Sequence, residues 1–372
     1  MNRAAGLVLP LFVVITGCDH RSLPAQDGAS DGSGGLATQP DVGRPDVGLP
    51  RELMWGELGQ AGTERPAGRM NHFTVYDPVK DRLLVLGGFD PYKPGGGCCT
   101  NPYQVFKDVW QLDLASDRWS QLGKLEQPLL AFTPIEVAFD GPRNRLVVVG
   151  AVFTENYGPA HNVAIDLASW KTTSLPAGPW PSAEWPLRVA FDAARGRIVV
   201  HAAYSINKLE GVWIFDVASS TWASVATKTQ PEFRFHAPLI AAGAGRAFLF
   251  SGYDGETAPS DLWQLDVEGK SWSSVPMSQP PRGRWSHRGV FDPARGSLVV
   301  FGGERHGSKD QLETLLIDTS DFSLSEPTLS PAPSRRREHS MVLDTKRRRA
   351  IVYGGAFESK HVYDDVWALQ LP

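Results

Sequence analysis

One unit of about fifty residues, best preserved at Arg284–Asp318, occurs six times along the chain, and nothing else in the sequence constrains the fold as tightly. An alternating run that opens at Arg284-Trp285 reaches a turn signal at Asp292-Pro293. A second apolar run, Leu298–Phe301, stops at Gly302-Gly303. A polar loop follows, then a third apolar run, Leu312–Ile317. The copies align by their landmarks. First-turn aspartates stand at Asp77, Asp140, Asp192, Asp292 and Asp344, with Ala241-Ala242-Gly243 in the fourth copy. The second runs end at Gly87-Gly88, Gly150-Ala151, Ala202-Ala203, Ser251-Gly252, Gly302-Gly303 and Gly354-Gly355. The third runs carry Trp110, Trp213, Trp263 and Trp367, with Val163 and Leu315 in the weaker copies. A further aromatic follows at Trp119, Trp170, Trp222, Trp272 and Phe322. The polar ends of the third runs, Asp113, Asp166, Asp216, Asp266, Asp318 and Gln370, recur every 50 to 53 residues. A unit of four short strands cannot bury both of its faces alone, so each copy must be covered by its neighbours.

This period, with a glycine pair after one apolar strand and a tryptophan after the next, resembles the kelch repeat over residues 51–372. The resemblance implies an all-β, six-bladed β-propeller built from four-stranded antiparallel blades. The glycine pair would let a neighbouring aromatic lie against backbone where a Cβ would clash. Copies two and three lack the second glycine, so those blades should pack differently there. The sixth copy stops at Pro372 without an outer strand. Leu53-Met54-Trp55-Gly56-Glu57-Leu58 matches the outer-strand pattern of Trp119-Ser120-Gln121-Leu122 and Trp272-Ser273-Ser274-Val275. An N-terminal strand over about 53–58 is therefore expected to complete blade six, closing the ring and removing its free edges.

The first residues read as an address. Arg3 precedes a short apolar run, Ala4–Ile15, which is too short for a permanent span. It ends in Ile15-Thr16-Gly17-Cys18, which resembles the lipobox of bacterial lipoproteins. That resemblance implies removal of residues 1–17 and lipidation of Cys18. The protein would then sit in the cell envelope, anchored to the inner or outer membrane by lipid alone and facing periplasm or exterior. Residues 18–50 read as a disordered tether rich in Gly, Ser, Asp and Pro, with Pro40-Asp41-Val42-Gly43 repeated as Pro45-Asp46-Val47-Gly48. As a flexible coil it would average about 30 Å end to end. A net charge of −4 and an exported address argue against nucleic acid. The basic runs Arg335-Arg336-Arg337 and Lys346–Arg349 fall at opposite ends of one inner strand and read as solvated turns.

On the kelch plan, the first-to-second and third-to-fourth connections share one face and are short. The second-to-third loops share the other face and are long: Phe89–Lys107, Val152–Asn162, Tyr204–Glu210, Tyr253–Ser260, Glu304–Gln311 and Ala356–Asp364. Variable loops on a rigid ring are where binding resides. The innermost strands open on this face with a recurrent Arg and His: Arg69 with His72, Arg234 with His236, Arg284 with His287, Arg336 with His339. They read either as donors around a channel mouth or as ties between blades. Trp185 and Trp285, with Trp180 nearby, are not repeated, and they suit sugar stacking, a protein hot spot or local packing. Cys98-Cys99 lies in the longest loop. Outside the cytoplasm the pair is expected to form a strained vicinal disulfide, acting as a loop staple or as a redox-labile tip. No metal site is expected, since these thiols would need a ligand such as His161 from the next blade.

No local catalytic signature is present. The function expected is therefore a monomeric, cofactor-free binding module that takes a protein partner or a glycan on its long-loop face. The alternative is a sugar-acting enzyme: sialic-acid mutarotases resemble this chain in being six-bladed kelch propellers, with Arg69, Arg284, Arg336 and Glu304 as the candidate residues. Copper-dependent galactose oxidases share the repeat, but their two-His, two-Tyr copper set has no matching pattern here.

Overall fold

The computed structural model describes residues 52–92, 104–130, 136–151, 161–178, 187–204, 209–305, 314–357 and 361–372. These form six four-stranded antiparallel sheets whose strands follow chain order, with small two-stranded pairs inserted in the first blade (Phe89–Asp90 with Gln104–Val105) and the last (Ala356–Phe357 with His361–Val362), and only the last sheet takes a strand from the far end of the chain. From the channel outwards, blade 1 is Phe73–Asp77, Arg82–Leu86, Asp108–Asp113 and Arg118–Lys124. Blade 2 is Ala138–Asp140, Arg145–Ala151, His161–Asp166 and Thr172–Ser174. Blade 3 is Leu187–Asp192, Arg197–Tyr204, Leu209–Asp216 and Thr221–Val225. Blade 4 is Leu239–Ala241, Arg246–Phe250, Leu262–Asp266 and Ser271–Val275. Blade 5 is Arg288–Asp292, Ser297–Phe301, Leu315–Asp318 and Leu324–Ser325. Blade 6 takes Ser340–Asp344, Arg349–Tyr353 and Val366–Gln370 from the C-terminus.

The outer strand of blade 6 is Met54–Leu58, antiparallel to Val366–Gln370 with Met54 opposite Gln370 and Leu58 opposite Val366. The ring therefore closes as the sequence expects. Trp55 anchors the closure. It is 1% exposed, its ring lies 5.0 Å from that of Phe301 in blade 5, and its indole N–H donates to Thr314 Oγ1 at 3.3 Å.

Neighbouring inner strands pack together at every joint except that between blades 2 and 3, where the inner strand of blade 3 chiefly meets the second strand of blade 2. Six apolar layers fill the spaces between blades, one at each joint. The alternation of each strand explains them, because successive side chains point to the two neighbouring blades. The second strands are buried on both faces and accordingly read as continuous apolar runs, such as Leu146–Val149 and Leu298–Phe301.

The repeated aspartates are turn devices. Asp77 Oδ1 accepts the amides of Val79 and Lys80 at 3.0 and 3.1 Å, while its Oδ2 takes the Arg82 Nε–H at 2.8 Å. Asp113 and Asp166 each accept amides two and three residues on. These bonds, chiefly from Ser116 to Asp113 and from Ser169 to Asp166, hold both carboxyls below their ordinary range.

The basic run at Lys346–Arg349 differs from the solvated turn expected. Lys346 and Arg347 both hold Asp81 of blade 1, Arg348 holds Asp292 of blade 5, and Arg349 holds Asp344 within blade 6. The turn carries charge because it staples the closing blade to both neighbours on the short-loop face. Arg335-Arg336-Arg337 is likewise committed: Arg335 lies over the Phe357 ring, Arg336 holds Asp365 and Arg337 holds Glu304.

Candidate functional site

Each well-kept blade opens with an arginine whose guanidinium turns back into its own blade. Arg69 Nη1 and Nη2 donate to the two oxygens of Asp108 at 2.8 and 3.0 Å, Nη1 also reaches the Gly87 carbonyl at 3.0 Å, and Nε donates to the Ala67 carbonyl. Arg336 repeats this on Asp365 and the Gly354 carbonyl, and Arg234 on Asp261 and the Ser251 carbonyl. Arg284 reaches the Gly302 carbonyl at 3.4 Å. The tryptophan of the third strand completes the motif: Trp110, Trp263 and Trp367 donate their indole N–H to Asp108, Asp261 and Asp365 at 2.7 to 2.8 Å. Aromatic rings cover the outer guanidinium faces, with Phe106 under Arg69 and Tyr363 under Arg336, both 4.2 Å from the centroid. Burial alone would raise the Asp108 and Asp365 carboxyls, but the arginine bonds outweigh it and hold both low.

The histidine three residues on packs backwards into the preceding blade. His72 meets Tyr353 of blade 6 at 5.1 Å, His287 meets Phe250 of blade 4 at 5.4 Å, and His339 meets Phe301 of blade 5 at 5.5 Å. The first glycine of the pair makes this possible. A Cβ on Gly302, whose φ is +69°, would lie 2.6 Å from the His339 ring. Desolvation, with nearby arginines adding to it, drives these three histidines well below their ordinary pKa, so they are neutral. The second glycine supplies an amide to the next blade: Gly252, Gly303 and Gly355 donate to the carbonyls of Arg284, Arg336 and Arg69 at 2.9 to 3.0 Å. Arg69, Arg284, Arg336, His287 and His339 are at most 1% exposed and His72 is 6% exposed. They form the seams between blades.

The residue just before the His position differs from blade to blade. Asn71, His236, Ser286 and Glu338 occupy it in blades 1, 4, 5 and 6, all left-handed with φ from 51° to 55°. Three of them are joined by their side chains. Blade 4 is offset by one: Ala237 stands where blades 1, 5 and 6 have histidine, so His236 takes the position before it. The amides link in sequence around this arc. Ser286 N–H donates to the His236 carbonyl at 2.9 Å, Glu338 to Ser286 at 3.3 Å, and Asn71 to Glu338 at 3.3 Å. Four non-glycine residues held in this region is a local cost that clusters at functional sites.

Their side chains make a polar knot across three blades. Ser286 Oγ–H donates to Glu338 Oε1 at 2.7 Å, and His236 Nδ1 lies 3.5 Å from the same oxygen. Arg288 Nη2 lies 3.9 Å from Glu338 Oε2. Desolvation lowers the His236 pKa against the opposing pull of Glu338. Nearer the loops, Arg337 Nε meets Glu304 Oε1 at 3.0 Å. Burial would lower the Arg337 guanidinium, but Glu304, Glu338 and Tyr92 together raise it. Half-exposed aromatics flank the knot: Tyr253 and Trp285 with centroids 5.1 Å apart, and Phe233 edge-on to Phe235 at 4.6 Å. Glu136 of blade 2 accepts the Phe191 amide of blade 3 at 2.7 Å. Its side chain is exposed, and desolvation by the surrounding protein pushes the carboxyl up to about 7.

Of the residues expected from sequence, Trp285 and Glu304 lie at the mouth, bridged by paired backbone bonds of 2.8 and 3.0 Å. Cys18, Cys98, Cys99, Trp180 and Trp185 fall outside the described residues. Ser286, Glu338 and Arg288 were not anticipated. Their signal was the break in repetition at that position, where the blades carry Asn, His, Ser and Glu in turn.

No family model matches the chain. Among curated proteins it is similar to the human Kelch domain-containing protein 10, 22% identical over 308 residues that cover 65% of this chain and 67% of that protein. It is also similar to the Rab9 effector protein with kelch motifs of Xenopus laevis, 24% identical over 230 residues that cover 58% and 57%. Adagio-like protein 1 of Oryza sativa subsp. japonica is 32% identical over 136 residues, covering 35% of this chain and 21% of that protein. These similarities and the six-bladed ring support a kelch-repeat β-propeller.

Proposed function

We propose that the protein is an interaction module that docks a protein partner on the long-loop face, with Trp285, Tyr253 and Phe235 as the apolar contacts and the Glu338 knot as the polar centre. The observation that carries this reading is the pairing of half-exposed aromatic rings with a fixed hydrogen-bonded network on a rigid rim. Aromatic anchors around a desolvated polar centre are the composition of an interface hot spot. The kelch-type relatives support the same class of role. Cys18 would carry a lipid and residues 18–50 would hold the ring off a cell-envelope membrane. Among the described residues no helix is long and apolar enough to cross one.

The test is a crosslinking pull-down of the full chain from its own membranes, beside a Trp285→Ala, Tyr253→Ala double variant. A protein captured by the native chain and lost from the variant supports the reading. Equal capture by both rejects this face.

A glycan is the second reading, favoured by the Tyr253–Trp285 pair beside His236 and Glu304. In a mutarotase-type enzyme Arg69, Arg284 and Arg336 would act through the blade seams, leaving Glu304 at the mouth. Turnover or binding of acidic sugars by the full chain, lost in Glu304→Gln, would favour it over a protein partner.

A further inference from the structure

The short-loop face carries its charge in two concentric rings, and all of its turns lie among the described residues. The turns between first and second strands make the inner ring. They are residues 77–82, 140–145, 192–197, 241–246, 292–297 and 344–349, which hold twelve Lys and Arg against six Asp. The turns between third and fourth strands make the outer ring. They are residues 113–118, 166–171, 216–221, 266–271 and 318–323, where eight Asp and Glu meet three Lys and Arg.

Burial sharpens the contrast. Asp77, Asp140, Asp192, Asp292 and Asp344 of the inner ring are at most 5% exposed. Asp344, for example, accepts the amides of Lys346 and Arg347 and holds Arg349. Asp81, the sixth, is gripped by Lys346 and Arg347. The cations of the same turns reach solvent: Lys80, Arg143, Arg195, Arg295 and Lys346 are exposed. In the outer ring the acids themselves are half-exposed or exposed. Ion pairs between blades draw the turns together. Lys346 and Arg347 reach blade 1, Arg348 reaches Asp292 of blade 5, and Arg195 and Arg197 of blade 3 reach Glu268 of blade 4.

We propose that the centre of the short-loop face docks an extended acidic segment of a partner protein, laid across the inner turns with its carboxylates on Lys80, Arg143, Arg195 and Arg295. Ten of the twelve inner-ring cations are arginine, whose planar fork matches a carboxylate. The outer ring sets the width of the ligand. A flat anionic membrane would meet both rings at once, and their charges nearly cancel. A single extended segment meets the inner ring alone, and the acidic rim repels one that approaches off centre. This docking uses the face opposite the Trp285 rim and does not depend on it.

The test uses the full chain and a fluorescent oligoglutamate, with binding followed by anisotropy. Affinity should weaken as ionic strength rises. Lys80→Gln, Arg143→Gln and Arg295→Gln combined should weaken it about tenfold, whereas Lys171→Gln with Lys270→Gln in the outer ring should change it less than about twofold. A photo-crosslinking oligoglutamate should label residues 77–82, 292–297 or 344–349 of the native chain, which decides the matter even if the triple variant does not fold. No binding, equal binding by the triple variant, labels confined to the long-loop face, or a preference for phosphatidylglycerol vesicles over oligoglutamate would each overturn the proposal.

Discussion

The joint between blades 5 and 6 and the joint between blades 3 and 4 bury apolar layers of the same kind, but their polar seams differ. At the first, Gly302 makes room for His339, Gly303 donates its amide to the Arg336 carbonyl, and Arg336 is neutralised by Asp365. At the second, the glycine pair is Ala202-Ala203, and the second and third strands of blade 3 stay paired out to Tyr204 and Leu209. The carbonyl of Arg234 is then capped by the Arg188 side chain instead of a glycine amide. One joint is closed by backbone and a matched charge. The other is closed by a guanidinium whose partners among the described residues are neutral groups. A repeat can thus lose its polar signature while keeping its apolar layer, because area burial is tolerant of residue identity and hydrogen-bond geometry is not.

The largest effect should come from opening the regular arc. Removing residues 51–58 strips Trp55 from blade 5 and leaves Val366–Gln370 as a bare edge. Loss of the Trp55 side chain alone should cost about 3–5 kcal/mol. The melting temperature should fall by about 10 °C or more, and an unchanged melting curve would break the closure.

Next, Arg336→Met should cost about 3–5 kcal/mol because it strands the Asp365 carboxylate, whereas Arg188→Met, which strands no carboxylate among the described residues, should cost less. Denaturant titrations of the two variants measure this directly, and equal losses would erase the distinction between the joints.

Acid should sharpen the same contrast. His72, His287 and His339 have folded pKa values held below the unfolded value, so the unfolded chain binds more protons as pH falls below about 6.5. Each should therefore withdraw about 1 kcal/mol of stability by pH 5.5, and His339→Phe should flatten that slope. Asp108 and Asp365 act lower. Their depressed carboxyls stabilise the fold above the unfolded carboxyl value, and this is lost as pH falls through the folded one. A stability profile level between pH 7 and 5.5 would mean that the seam histidines are not buried as described.

The smallest effect is Gly302→Ala, expected to cost about 1–3 kcal/mol from positive φ and the His339 contact. Ala202→Gly in blade 3 should give no comparable gain, since no histidine seeks space there. Melting temperatures of the two variants settle it.

The strands, blade count and closing strand were legible in the sequence because they rest on alternation, turn chemistry and a period that repeats. The mouth was legible only in part. Trp285 and Glu304 stood out, but Ser286 and Glu338 look like ordinary polar residues beside a conspicuous Arg and His. The one-residue offset at Ala237 was hidden for the same reason: Arg234 and His236 look like another copy of the pair.

The sequence by itself determined what is local or periodic: where each strand begins, which aspartates cap turns, and that Leu53–Leu58 belongs beside the last strand. Only the tertiary structure decided which charges meet. Asp365 finds Arg336 within one blade, His339 finds room beside Gly302 of the blade before, and Arg188 finds the His201 ring and the Arg234 carbonyl. A residue's type sets what it can donate or accept. Whether it is buried, and beside what, depends on a neighbouring blade some fifty residues away.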